Sequence, residues 1–170
     1  MVRMSPQQIL NMILVITVIS YLFDQLLDYI NLRSQRNDIP REIESFYERD
    51  KYLKSLSYKR EGTKFSFITS AFGFLLSTFM LLTGGFGWVD SLLRVYVEND
   101  IILALAFFAI LMLATDILSI PFQCYSTFVI EEKYGFNRTT IKTFVTDKLK
   151  GYALAAIVDP LFANGRSIDG

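Results

Sequence analysis

Two stretches of this chain carry almost no charge, and they decide what it can fold into. Residues 65–89 contain no Asp, Glu, Lys or Arg, and residues 101–130 contain only Asp116. Residues 1–30 hold just Arg3, Asp24 and Asp28. Most of the other charges crowd into two blocks, 31–64 and 131–150. A charge at the centre of a bilayer costs at least ~2.5–3.5 kcal/mol on insertion scales, so segregation of this kind is the pattern of a membrane protein. A helix crosses the ~30 Å hydrocarbon core with about 20 apolar residues at ~1.5 Å each. The composition alone, 20% charged and 52% hydrophobic, would not have shown it.

Phe65–Val89 predicts one span, ending in a flexible turn at Gly84, Gly85 and Gly87 with an interfacial Trp88. Ile101–Ile120 predicts another, entered through Glu98, Asn99 and Asp100 and kinked or ended by Pro121. Ile9–Phe23 is apolar over 15 residues and spans only if it runs on through Asp24 and Asp28 to Ile30. Bulky Tyr21, Leu22 and Phe23 stand where a signal peptide needs small cleavage-site residues, so a retained helix is expected. Tyr152–Ala163, 12 residues, is too short to span and reads as interfacial or as the start of a fourth helix. The expected fold is all-α: a polytopic integral membrane helical protein with three transmembrane helices, a partial fourth and cytosolic helical loops. Ser66, Ser70, Gly73 and Ser77 recur at a spacing that lets another helix approach closely. Ile43, Phe46, Tyr47, Leu53 and Leu56 line one face of a helix from about Arg41 to Lys59. That helix either packs on its own protein or runs on into the second span, with membrane-surface binding as the alternative.

The loops set an orientation. Nine Lys and Arg fall in 31–64, five in 131–150, and only Arg94 in 84–100. The positive-inside rule then puts both basic loops in the cytosol and the N-terminus outside or in a lumen. The membrane is a bacterial inner membrane or the endoplasmic reticulum. The chain has no His and one cysteine, Cys124, which removes disulfides, a CxxC zinc site and the commonest general base. Net charge is zero and basic residues are interleaved with acidic ones, so no nucleic-acid partner is expected.

Pro121–Leu149, with the Lys150 that follows it, carries a run of specific positions: Pro121, Phe122, Tyr125, Phe128, Glu131, Glu132, Lys133, Gly135, Phe136, Asn137, Thr140, Asp147 and Lys150. A looser segment has Tyr52, Lys54, Ser55 and Tyr58. Together, over about residues 10–158, they resemble the N-terminal membrane region of the type I CAAX prenyl proteases, integral-membrane zinc metallopeptidases. The resemblance implies a seven-helix chamber and a helical HExxH zinc site, with prenylated or other membrane-associated peptides as substrate. HExxH needs two His on one helix face and a Glu as base on the metal-bound water. Without His this chain supplies no catalytic residue and no metal ligand, so it carries no cofactor of its own and zinc belongs to the full-length family. The expected division is 1–163 as membrane region and 164–170 as a polar tail. A truncation, a partial gene product or a degenerate relative would all look like this. The lipid bilayer and the C-terminal catalytic half of the same protein are the expected partners. A non-enzymatic small membrane protein, acting as a binding or assembly partner, is the alternative. A transporter or channel subunit rests only on the three intramembrane carboxylates.

Those carboxylates, Asp24, Asp28 and Asp116, are candidates to face a chamber or to serve structure, because charges at membrane depth normally face a bundle interior. With no partner evident in the sequence, Asp116→Leu is expected to stabilise the isolated chain. Among the motif positions, Glu131 and Glu132 with Lys133 read as a charge cluster at the cytosolic mouth or as a solvated helix cap. Gly135 reads as a positive-φ turn and Phe136 as a loop anchor. Asn137 begins a glycosylation sequon that a cytosolic loop would not use. Thr140, Asp147 and Lys150 read as parts of a following cytosolic helix.

Overall fold

The computed structural model describes residues 4–34 and 49–164, with side chains described to residue 154. The regular structure among the described residues is all helical: α1 (Pro6–Ser34), α2 (Arg49–Leu82), α3 (Gly85–Arg94), α4 (Asp100–Tyr125), a π-helical turn (Ser126–Glu131) and α5 (Ile141–Asn164). Three of these are long and apolar enough to cross a membrane: Pro6–Ser34, Arg49–Leu82 and Asp100–Glu131. Their most apolar windows are 0%, 0% and 6% buried within the protein, so the apolar surface is turned outward, as lipid requires. This is the expected all-α, polytopic membrane architecture. Arg36, Arg41, Ile43, Phe46 and Tyr47 lie outside the described residues, as does the tail beyond Asn164.

The chain divides into two compact units: residues to Gly87 with Phe122–Phe136, and Trp88–Pro121 with the chain from Asn137. In the first, α1 starts on a reciprocal cap. The Ser5 N–H donates to Gln8 Oε1 at 2.8 Å and the Gln8 N–H to Ser5 Oγ at 3.2 Å, with Pro6 in the first helical position. The helix then passes through Asp24 and Asp28 to Ser34, the continuation a span needed. Its face at i, i+4 and i+7 meets α2 running the other way. Tyr21 stacks on Phe74 with centroids 4.2 Å apart, Gln25 Nε2 donates to Ser70 Oγ at 2.8 Å, and Ser66 Oγ lies 3.2 Å from Asp28 Oδ2. Two members of the small-residue stripe, Ser66 and Ser70, therefore sit at the helix contact, where a bulky side chain would hold the backbones apart.

At 34 residues α2 is about 50 Å long, well beyond the hydrocarbon thickness, so it carries part of the basic block along with the span. From Arg49 onward, the amphipathic segment runs on into the second span. The glycine turn expected at the end of Phe65–Val89 is present at Gly84, but the residues after it are helical again rather than a flexible turn. The helix stops at Leu82, because Gly84 takes φ +71°, and a separate α3 follows. Pro121 does not end the third span. Its fixed φ suits a helix, at the cost of one N–H bond and a clash of the ring with the preceding turn; α4 continues to Tyr125 and then widens into the π-helical turn. Beyond the proline, Phe122 packs on Phe65 and Phe72 (6.3 and 5.0 Å between centroids) and Tyr125 on Phe65 (4.9 Å).

In the second unit Asn99 caps α4, accepting from the N–H groups of Ile101 and Ile102 at 2.9 and 3.2 Å. Val89, Leu93 and Leu103 are buried. Thr140 caps α5: its Oγ1 accepts from the Thr143 N–H at 3.2 Å.

Candidate functional site

Three polar sites stand out, each within one unit. The first is built where the π-helical turn runs out. Ile130, 1% exposed, anchors it. The Phe136 N–H then donates to the Glu131 carbonyl and the Gly135 N–H to the Glu132 carbonyl, both at 2.9 Å. These are the two bonds of a Schellman cap, which requires a left-handed residue, and Gly135 supplies it at φ +65°. A side chain in that conformation would cost about 1–2 kcal/mol, and for that reason glycine stands there. The cap aims Lys133 and Tyr134 at one carboxylate. Glu61 Oε2 accepts from Lys133 Nζ at 2.6 Å and from the Tyr134 hydroxyl at 2.7 Å. The hydrogen bond to Glu61 raises the Lys133 ammonium above its ordinary value. The bond that Tyr134 donates to Glu61, and then its partial removal from water, raise the phenol as well.

Tyr58 meets Tyr134 and Phe136 edge-on, with centroids 5.7 and 4.9 Å apart, and Lys54 Nζ lies 5.8 Å from the Phe136 ring centre. The two segments that carry the family resemblance thus meet side chain to side chain. Glu61 was missed by sequence reading, since it looks like any charge in a basic block. Its two partners lie 72 and 73 residues away.

The second site is a cleft of about 580 Å³ whose lining includes Asp28, Asn31, Tyr52, Ser55, Lys59 and Thr63. Asp28 turns toward α2, whereas Asp24 is exposed. Ser66 Oγ shares its proton, lying 2.7 Å from the Thr63 carbonyl as well as near Asp28.

The third site lies in the second unit. Asp116 accepts from Lys148 Nζ, and its other oxygen accepts from the Tyr152 hydroxyl at 2.6 Å. The Asp116 and Lys148 side chains are 32% and 22% exposed, so the pair is largely withdrawn from its surroundings. This corrects the expectation of an unpaired Asp116: α5 brings up a cation and a phenol one helical turn apart. Asp116 also ends an apolar groove of about 480 Å³ lined by Leu105, Phe108, Met112, Leu113 and Tyr152. Of the remaining motif positions, Asn137 Oδ1 accepts from the Thr139 N–H at 2.7 Å, holding the turn into α5. Lys150 and Asp147 lie 3.9 Å apart along that helix.

None of this is a zinc site. A catalytic zinc takes three protein ligands. Among the described residues no three of His, Cys, Asp and Glu converge, and the whole chain has no His. The described residues do not fit the metal.

Comparison with known proteins places the fold. The chain is 32% identical to a CAAX prenyl protease 1 homolog of Oryza sativa subsp. japonica, over 89% of this chain and 37% of that protein. It is 35% identical to a probable CAAX prenyl protease 1 of Schizosaccharomyces pombe, over 72% of this chain and 29% of the relative. The chain spans about a third of the length of these relatives. The crystal structure of S. mikatae Ste24p superposes with a TM-score of 0.76 at 24% identity, covering 96% of this chain and 39% of that one, and so shares the fold. A family model described as the CAAX prenyl protease N-terminal region, with five membrane helices, matches residues 28–164. The chain belongs to the CAAX prenyl protease N-terminal family.

Proposed function

We propose that this chain is the membrane scaffold of a CAAX prenyl protease-like zinc metalloendopeptidase, supplying chamber wall for C-terminal peptide proteolysis while the zinc chemistry comes from sequence outside these 170 residues. The observation that carries this reading is the family match over 28–164 in a chain without His and, among the described residues, without three converging metal donors. In this reading Asp28 and the Asp116–Lys148–Tyr152 cluster supply polar wall, and the Gly135 cap fixes the exit of the third span. Prenylated or other membrane-associated peptides are the substrate class. Residues 1–163 form the membrane region, with 164–170 as a polar tail.

A chimera tests it: this chain replaces the matching N-terminal third of a CAAX prenyl protease 1. Cleavage of a prenylated C-terminal peptide is expected to survive in the chimera. A chimera that is monodisperse in detergent but inactive, beside an active parent, would remove the scaffold role.

The orientation belongs to the same proposal, with both basic loops cytosolic and the N-terminus outside or lumenal. In a Cys124→Ala background, Ser57→Cys and Thr139→Cys are expected to resist a membrane-impermeant thiol reagent in intact cells, while Ser91→Cys reacts. The opposite labelling pattern would invert the topology.

A further inference from the structure

The helix α3 buries only half of its apolar surface. At about 100° per residue, Val89 and Leu93 lie on one side of its apolar arc, and Trp88, Leu92 and Val95 lie within about 60° of each other on the other side. The first side is covered, with Val89 and Leu93 each 9% exposed. The second is open: Trp88 is 66%, Val95 73% and Tyr96 78% exposed. The chain past Arg94 stays wound, with the Tyr96 and Val97 N–H groups donating to the Leu93 carbonyl at 2.9 and 3.0 Å, which keeps Val95 and Tyr96 beside this face.

The opposite arc holds Asp90, Ser91 and Arg94, and its charges are matched. Arg94 Nε donates to Asp90 at 2.8 Å, and Arg94 Nη1 lies 3.7 Å from Asp100. The bond to Asp90 raises the guanidinium further above its already high value. No unpaired cation or carboxylate on α3 therefore opposes contact with an apolar medium.

Chain connectivity says which medium is in reach. Only Thr83 and Gly84 separate α3 from the end of one span, and Val95–Asn99 separate it from the start of the next. Two extended residues reach roughly 7 Å, so α3 cannot leave the boundary of the bilayer. Trp and Tyr on an open apolar face, backed by a charge-paired polar face, match the chemistry of the headgroup–acyl interface, where such rings are favoured.

We infer that α3 is an interfacial anchor: it lies in the bilayer plane, its Trp88–Leu92–Val95–Tyr96 face set into the lipid interface. The occupant of this face is lipid, and the inference does not depend on which side of the membrane α3 occupies or on the proposed function.

Trp88 is the chain's single tryptophan, so it reports on itself. The full chain is reconstituted into phosphatidylcholine vesicles whose acyl chains are brominated either near the glycerol or near the methyl end. Blue-shifted emission is expected, quenched roughly twofold more by the shallow bromines, as burial of about 5–10 Å requires. Quenching by aqueous iodide with no effect of brominated lipid would place the face in water and overturn the inference. Protection from both quenchers would show protein on the face, whether a second copy or another segment, and would overturn it equally. A Trp88→Phe, Val95→Trp variant must report the same depth; disagreement between the two reporters would mean that α3 does not lie in the plane.

Discussion

Asp116→Leu is expected to destabilise the purified chain in detergent, by about 2 kcal/mol, because it strands Lys148 in a half-buried site with no carboxylate to meet it. The Tyr152 hydroxyl loses its acceptor in the same step. The size follows from the asymmetry of paired charges. Forming the pair gains little net, since both ions must be desolvated, but removing one partner leaves the other's desolvation uncompensated. Asp116→Leu combined with Lys148→Met should therefore recover most of the loss, as two apolar side chains of similar size replace the pair. Thermal unfolding of the three variants, followed by helical circular dichroism, reads this directly. A stabilised single variant, or a double variant no better than the single, would show that the pair does not hold α4 to α5. The sequence alone points the other way, to stabilisation, and the geometry of α5 reverses the sign.

That reversal marks the limit of what was legible. The spans were readable because lipid imposes a local rule: any stretch of about 20 residues must be nearly free of charge, whatever it packs against. The length a span needs carried α1 through Asp24 and Asp28, and helix-start chemistry located the beginning of α4 at Asn99; the cap that Thr140 gives α5 was not read. Gly135 was readable as a turn because only its own backbone is at issue. The misses have one physical origin, which is that hydropathy records the medium and not the backbone path. The apolar run left α3 beyond the Gly84 turn unread, and Pro121 does not end α4.

The pairings were the least legible. Asp116 finds Lys148 across 32 residues and Glu61 finds Lys133 across 72, and no local pattern selects one cation among 17. The family motif did select Lys133 and Gly135. Their contact with the Glu61 region gives that motif a physical reason, since it joins the end of the third span to the basic end of α2.

The zinc content of the chain tests the central claim most directly. The chain is purified in detergent, equilibrated with zinc, passed through a desalting column and measured for metal per protein, alongside an intact CAAX prenyl protease 1 as positive control. Catalytic zinc needs three protein ligands, with His the usual donor, and these 170 residues contain none. The chain is expected to retain well below one zinc per molecule and to leave a prenylated C-terminal peptide uncut, whereas the intact protease keeps its metal and cleaves. One tightly held zinc per molecule of the isolated chain, or zinc-dependent cleavage by it, would contradict the account.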